Sequence, residues 1–243
     1  MADPVPAVKL YNAGAEHFRK GEFDQAVDCF RRSTQADPKL YRAWAYLGMA
    51  YAQLGQLDPA IESYRKCIDI APQYHKAFNN VGELYRRKGL LDYAAMVFKM
   101  ACEIDPTQAH YFYNLGITYF EIGMYAQAEE GFAQALKIDP NDYEYATELA
   151  QVQFTQRKYE AAAATLEKFI ADHPNHERSA ETGARLSMLR RRIEAEKALA
   201  AQQGEQHKSE IRQVPIEDDD NAATKKVAPI RGPGQNDPPK PSA

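Results

Sequence analysis

The chain has 243 residues, of which 44% are hydrophobic and 26% are charged, and its formal net charge is −4. This composition is ordinary for a water-soluble protein, and the net charge gives no electrostatic bias toward nucleic acid or anionic membrane. The amino-terminal residues lack the basic start and apolar core of a signal peptide, and no stretch is apolar enough to span a bilayer, so we expect a cytoplasmic protein without a membrane segment.

After a short amino-terminal segment, residues 1–6, the sequence repeats with a period of 34 residues. Alanine stands at position 20 and proline at position 32 of every block, and glycine occupies positions 8 and 15 of the first four. Such a period is the signature of a stacked-repeat protein. The five blocks follow one another without insertion: 7–40, 41–74, 75–108, 109–142 and 143–176.

Each block has the apolar spacing of two helices, at positions 4, 7, 8 and 11 and again at 20, 24 and 27. The small residues at positions 8 and 20 allow two helices to approach closely. The glycine at position 15 lets the first helix end in a left-handed turn, and the proline at position 32 stops the second helix. One helix pair cannot bury its own apolar faces, so we predict that neighbouring pairs stack.

With these small, aromatic and proline positions the chain resembles the tetratricopeptide repeat family, over 170 of its 243 residues. The resemblance implies an all-α fold, an α-solenoid in which antiparallel helix pairs form a right-handed superhelix. Block 5 departs most from the pattern, with Gln153 in the place of a tyrosine and with Ala150 and Arg157 in the places of glycine. Terminal repeats commonly deviate, because one of their sides lacks a neighbour.

The carboxy-terminal residues divide into two predicted parts. Residues 177–203 contain no proline and favour helix, so we expect a capping helix that covers block 5. Its apolar stripe, Leu186, Leu189 and Ile193, either packs on block 5 or supports a homo-oligomer. Residues 204–243 are rich in proline and lack apolar periodicity, which predicts a disordered tail. Its segment QVPIEDDD, residues 213–220, is either a recognition motif or part of a solubilising linker.

The resemblance also implies a concave groove lined by the first helices, chiefly through positions 2, 5, 6, 9, 12 and 13. An amide side chain recurs at position 6, beside core positions 7 and 8, and an unpaired amide is costly to bury, so this position should face the groove. Asparagine can both donate to and accept from an extended peptide backbone. The repeat region of protein O-GlcNAc transferase has asparagines at the same position. Position 6 here carries Asn12, Tyr46, Asn80, Asn114 and Glu148.

Other groove positions supply aromatic and charged side chains. Tyr11 and Tyr113 are candidate aromatic anchors for a ligand. Lys76 and Arg87 make block 3 basic, with Arg86 beside them, whereas Glu148 makes block 5 acidic. This pattern predicts a bipolar extended ligand that is acidic where it meets block 3. Phenylalanines at position 12 either line the groove or pack between helices: Phe18, Phe120 and Phe154.

No pattern for catalysis or metal binding emerges from the sequence. His173 and His176 flank a proline, but no further potential metal ligands cluster near them in the sequence. The three cysteines lie far apart on predicted second helices, where we expect them to be small core residues. We therefore expect a non-catalytic adaptor, without cofactor or metal, that binds an extended peptide segment of a partner protein. The alternatives are a scaffold that self-assembles through the capping helix or block 1 and, less favoured by the charge, a nucleic-acid-binding helical repeat.

Overall fold

The computed structural model describes residues 6–213, with the side chains of residues 6–205, and every regular element in this range is an α-helix. The first ten helices form five pairs, one pair in each 34-residue block, so the predicted all-α solenoid is confirmed. In chain order the helices are α1 (Ala7–Arg19), α2 (Phe23–Ala36), α3 (Tyr41–Gln53), α4 (Leu57–Ile70), α5 (His75–Arg87), α6 (Leu91–Ile104), α7 (Ala109–Ile122), α8 (Tyr125–Ile138), α9 (Tyr143–Thr155), α10 (Tyr159–Asp172) and α11 (Ser179–Gln213).

Each of the first four pairs packs through the glycine at position 8 of its first helix. A Cβ atom at this position would lie only 2.7 to 2.8 Å from a ring carbon of the second helix, so no other residue fits without repacking. Block 5 has Ala150 at this position and the smaller Leu166 opposite it, in one buried cluster. The four glycine–ring contacts are Gly14 with Phe30, Gly48 with Tyr64, Gly82 with Phe98 and Gly116 with Phe132.

The turn between the two helices of a pair is left-handed, as the glycine at position 15 predicts. The four glycines there have φ angles of +72° to +89°: Gly21, Gly55, Gly89 and Gly123. Block 5 keeps the same turn with Arg157, whose φ is 60°. A side chain in this backbone region is strained.

We expect Arg157→Gly to raise the free energy of unfolding by about 0.5–1 kcal/mol, because glycine adopts this conformation without steric cost. Urea denaturation of the variant and the wild type measures the difference. Gly123→Ala, at the same turn position in block 4, is the opposite control and should lower the free energy. An Arg157→Gly variant no more stable than the wild type would show that this turn carries no strain.

Neighbouring pairs stack through both of their helices. Each second helix contacts the first helix of the next block, and successive first helices also touch one another, as α1–α3, α3–α5 and α5–α7. These contacts place the first helices on the closely spaced side of the array. Cys67 and Cys102 are buried in this packing, and burial raises the pKa of both thiols to about 12, which agrees with their prediction as core residues. Cys29, predicted in the same way, is only half-buried.

The polar residue that replaces a tyrosine in block 5 is buried and bonds half-buried side chains. Gln153 Nε2 donates to Glu129 Oε1 at 3.2 Å, and Gln153 Oε1 accepts from Thr165 Oγ1 at 2.9 Å. Gln156 and Lys158 also donate to Glu129. Burial alone would raise the pKa of Glu129, but the hydrogen bonds from Lys158, Gln156 and Gln153 outweigh it and lower the pKa. A hydrogen-bonded network therefore joins blocks 4 and 5 at the position where blocks 2 to 4 have a tyrosine ring packed on the core.

The chain divides into two compact units, residues 1–196 and 197–243. In the first unit, Leu186 and Leu189 of α11 are buried against block 5, so the packing interpretation of this stripe is correct. In the second unit, residues 197–213 continue as helix. The predicted end of the capping helix at residue 203 is therefore wrong, because Gly204 lies within α11. One glycine costs a helix only about 1 kcal/mol, and the sequence has no proline between Pro174 and Pro215. The rest of the predicted tail, 214–243, lies outside the described residues, as do residues 1–5.

Candidate functional site: the face of the first helices

The candidate site is the groove face, by which we mean the side chains that α1, α3, α5, α7 and α9 present at positions 2, 5, 6, 9, 12 and 13. The predicted site residues differ in exposure. Those that are exposed are Asn12, Lys76 and Arg87. Those that are half-buried are Tyr11, Tyr46, Asn80, Tyr113, Asn114 and Glu148.

The amino-terminal part of the groove face is aromatic. The rings of Tyr11 and Tyr46 meet edge to face at 5.4 Å, and Tyr46 also lies 5.6 Å from the buried ring of Phe30. Burial, followed by the neighbouring Tyr46, raises the pKa of Tyr11 to about 12, so its hydroxyl stays protonated. The asparagines at position 6, which are Asn12, Asn80 and Asn114, form what we call the asparagine row. Block 2 has Tyr46 at this position, and its ring packs between blocks 1 and 2.

Asn80 has a structural partner that the sequence did not reveal. Its Nδ2 donates to the hydroxyl of Tyr64 at 3.0 Å, and Tyr64 is only 2% exposed. A buried hydroxyl without a partner would cost stability, so this bond supports the stacking of block 3 on block 2. Among the described residues, the Oδ1 atom of Asn80 has no hydrogen-bond partner.

Asn114 makes a comparable contact between first helices. Its Nδ2 donates to Asn79 Oδ1 at 3.0 Å, which joins α7 to α5. Its own Oδ1 accepts no hydrogen bond within the part of the chain that the structure describes. Asn80 and Asn114 are therefore half-buried and use their donors inside the array, whereas Asn12 is exposed.

Block 3 has fewer available positive charges at the groove face than the sequence suggested. Arg86 is half-buried and bonds Glu83 at 3.3 Å and Glu121 at 3.1 Å, so its charge is neutralised within the array. Lys76 and Arg87 are exposed. Burial, and then the charges of His75 and Lys76, lower the pKa of His110.

The block 5 end of the groove face is acidic. The rings of Tyr113 and Tyr145 lie 5.0 Å apart. Burial, followed by the charges of Glu144 and Glu148, raises the pKa of Tyr113 to about 12. Burial also raises the pKa of Glu148, against the opposing charge of Arg185 and with a further increase from Glu144. Lys76 and Arg87 are thus the exposed positive side chains that block 3 contributes to the groove face, whereas block 5 contributes the exposed Glu144 and the half-buried Glu148.

The phenylalanines at position 12 pack on an aromatic ring of their own block. Each ring centroid lies 5.2 to 5.4 Å from its neighbour: Phe18 on Phe23, Phe120 on Tyr125 and Phe154 on Tyr159. Phe154 nevertheless remains 43% exposed, at the edge of a cleft that α11 completes with Arg185 and Met188. Sequence reasoning missed these two residues, although Ala180 and Ala184 continue the repeat and would place them at groove positions 9 and 12.

The histidines around Pro174 have structural contacts. His173 lies 2.8 Å from Asn141 Oδ1, and the ring of His176 stacks on Tyr143 at 5.5 Å. Within the described residues there is no group of three or more His, Cys, Asp or Glu side chains placed to hold a metal ion. In the same part of the chain, no helix combines the length and apolarity that crossing a bilayer requires.

Two family models match the chain. The model described as Tetratricopeptide repeat matches residues 10–40, and the model described as Cilia and flagella-associated protein 70 C-terminal domain, itself a tetratricopeptide repeat (TPR) model, matches residues 40–168. The second match covers just over half of the chain. The chain belongs to the tetratricopeptide repeat family. No curated protein sequence matches this TPR protein.

Solved structures share the TPR fold at low sequence identity. MamA (residues 41 to the end) from Desulfovibrio magneticus RS-1 is 19% identical, with a TM-score of 0.64 over 73% of this chain and 99% of that one. PilF of Pseudomonas aeruginosa is 23% identical, with a TM-score of 0.61 over 85% and 92%. YrrB, described as a TPR protein with an unusual peptide-binding site, is 17% identical, with a TM-score of 0.61 over 73% and 92%. Proteins with this fold generally act as protein–protein interaction scaffolds.

Proposed function

We propose that this TPR protein is a non-catalytic adaptor that binds an extended segment of a partner protein along the groove face. The observation that carries the proposal is the burial and hydrogen bonding of the asparagines at position 6 of the repeat. Asn80 and Asn114 are half-buried, the acceptor oxygen of each has no partner among residues 6–205, and the two residues that follow each of them are buried in the core. Such oxygens can accept the N–H groups of an extended chain.

We expect the asparagines and the tyrosines to contribute differently to the free energy of ligand binding. One hydrogen bond contributes roughly 1 kcal/mol net, whereas micromolar affinity requires about 8 kcal/mol. The amides would therefore set the position of the ligand backbone, and burial of ligand side chains against Tyr11, Tyr46 and Tyr113 would supply most of the affinity. The bipolar charge of the face favours a ligand that is acidic at Lys76 and basic at Glu148.

The test removes amides without disturbing the fold. Asn80→Ala alone would orphan the buried hydroxyl of Tyr64 and cost about 1–3 kcal/mol of stability, so we use a Tyr64→Phe background, in which that hydrogen bond is already absent. Adding Asn12→Ala and Asn80→Ala to this background removes about 2 kcal/mol of binding energy, so it should lower the captured amount of the proteins that the background itself retains from a lysate by roughly tenfold or more. Quantitative mass spectrometry measures the difference.

The matched control substitutes two amides that are exposed on second helices, Gln25→Ala and Gln127→Ala, in the same background. It should retain every captured protein, and circular dichroism should give the same helix content for all variants. Equal loss from the groove and control variants, or no loss from either, would reject binding at the groove face.

Self-assembly through α11 has less support as a rival. Leu186 and Leu189 are 7% exposed and belong to the buried cluster with Ala150 and Leu166. Dimerisation through this stripe would have to release them from block 5, at a cost of about 1.5–3 kcal/mol for each side chain.

A further inference from the structure

A second candidate binding site lies between α9 and the part of α11 within the first unit. A cleft of ≈ 670 Å³ opens there, a volume within the range of small-ligand and side-chain pockets. Its floor is apolar and includes Leu166 and Leu189, which are 2% and 7% exposed. The cleft lies beside the groove face, because α9 contributes Phe154 to both.

The walls of this cleft expose large apolar side chains. Phe154 is 43% exposed and Met188 is 72% exposed, whereas the position-12 phenylalanines of blocks 1 and 4 are half-buried. Two large apolar side chains on either side of an apolar floor can enclose the side chain of a ligand. A thioether adapts readily to the shape of its contacts, which suits Met188 to this position.

The charged side chains that line the cleft are both arginines. Arg185 pairs with Glu181 at 2.9 Å and Arg192 with Glu196 at 3.5 Å, each along the surface of α11. All four side chains are 41–54% exposed, and surface pairs of this kind are weak, so each guanidinium can also bind an incoming carboxylate. Arg192 in addition lies 5.8 Å from the ring centre of Tyr159, which holds it at the cleft.

We propose that this cleft binds a short acidic peptide segment of a partner protein. A bulky apolar side chain of the segment enters between Phe154 and Met188, and flanking carboxylates bind Arg192 and Arg185. Arg192 contributes more to binding of the segment, because the positive charge of Arg185 also interacts with the carboxylate of Glu148. The proposal extends the groove of the proposed function as far as α11, but it does not require the asparagines to bind a backbone.

Fluorescence anisotropy with a fluorescein-labelled peptide tests the proposal on the full-length chain. The probe has a central Leu-Phe pair with two acidic residues on each side. One control peptide replaces the pair with Ala-Ala, and the other replaces the acidic residues with lysine. The wild type should bind the probe at least tenfold more tightly than either control peptide, since both the apolar and the acidic groups are required.

The variants locate the binding site. Arg192→Glu and Met188→Ser should each weaken binding of the probe by roughly tenfold or more, and Arg185→Glu by less. Arg191→Glu is the matched control, because Arg191 is adjacent on the same helix but does not line the cleft, and it should leave the affinity unchanged within about twofold. Thermal melts check that the variants fold.

The result that would overturn the proposal is equal binding of the probe and the Ala-Ala peptide, or equal weakening by Arg191→Glu and Arg192→Glu. Asn12→Ala with Asn80→Ala in the Tyr64→Phe background should leave binding of the probe intact. A failure at the cleft can therefore be told apart from a failure at the asparagine row.

Discussion

Gly131→Val should lower the free energy of unfolding by about 3 kcal/mol, one of the two largest effects we expect of a single substitution. Gly131 lies in α8 where that helix crosses α7. A Cβ atom there would lie 2.9 Å from Gly116 Cα and 2.9 Å from the carbonyl oxygen of Phe112. Both are backbone atoms, so the clash cannot be relieved by rotating a side chain, and the two helices must separate.

Urea denaturation followed by far-ultraviolet circular dichroism measures this effect. Gly183→Ala is the matched control, since a Cβ atom at this helical glycine meets nothing within 4 Å. That variant should gain about 0.5–1 kcal/mol from the higher helix propensity of alanine. Equal effects of the two substitutions would contradict the close approach of α7 and α8.

Phe98→Ala should cost about 3–5 kcal/mol, because the Phe98 side chain is fully buried and fills the space over Gly82. Phe98 belongs to block 3, the middle of the array. In a stacked array each block is stabilised by its neighbours, so loss of the middle packing should let the two ends unfold separately. Differential scanning calorimetry should show a broadened or split transition where the wild type has a sharper one.

Block 5 offers a natural comparison for the contact between Gly82 and Phe98. Block 5 pairs Ala150 with Leu166 at the positions that Gly82 and Phe98 occupy in block 3. Gly82→Ala alone should be destabilising, whereas Gly82→Ala combined with Phe98→Leu should recover part of the loss. Additive losses in the double variant would mean that the two residues are not in contact.

The fold could be predicted because its determinants are local and repeated. Glycine at positions 8 and 15 and proline at position 32 act within one block, and the blocks reinforce one another. The close approach of Gly131 to Gly116 was not predicted, because glycine occurs at that position of the repeat in block 4 alone. The end of α11 was misplaced because composition changes at Gly204 before any residue stops the helix.

The site was only partly predictable, because its hydrogen bonds join different blocks. Periodicity identified position 6 as a polar position at a surface, but the partner of Asn80 is Tyr64, in the preceding block. Similarly, Arg86 is neutralised in part by Glu121, which lies in the following block. Such pairs depend on the angle at which blocks stack, and one sequence does not specify that angle.

Photo-crosslinking tests most directly which face of the array binds the partner. Tyr46 and Tyr113 on the groove face, and Tyr93 on α6, are each replaced with benzoylphenylalanine. Tyr93 is 55% exposed and lies beside the exposed Met96, so it represents the second-helix face. We predict crosslinks to the partner from positions 46 and 113 and none from position 93, and crosslinks from position 93 alone would contradict binding along the first helices.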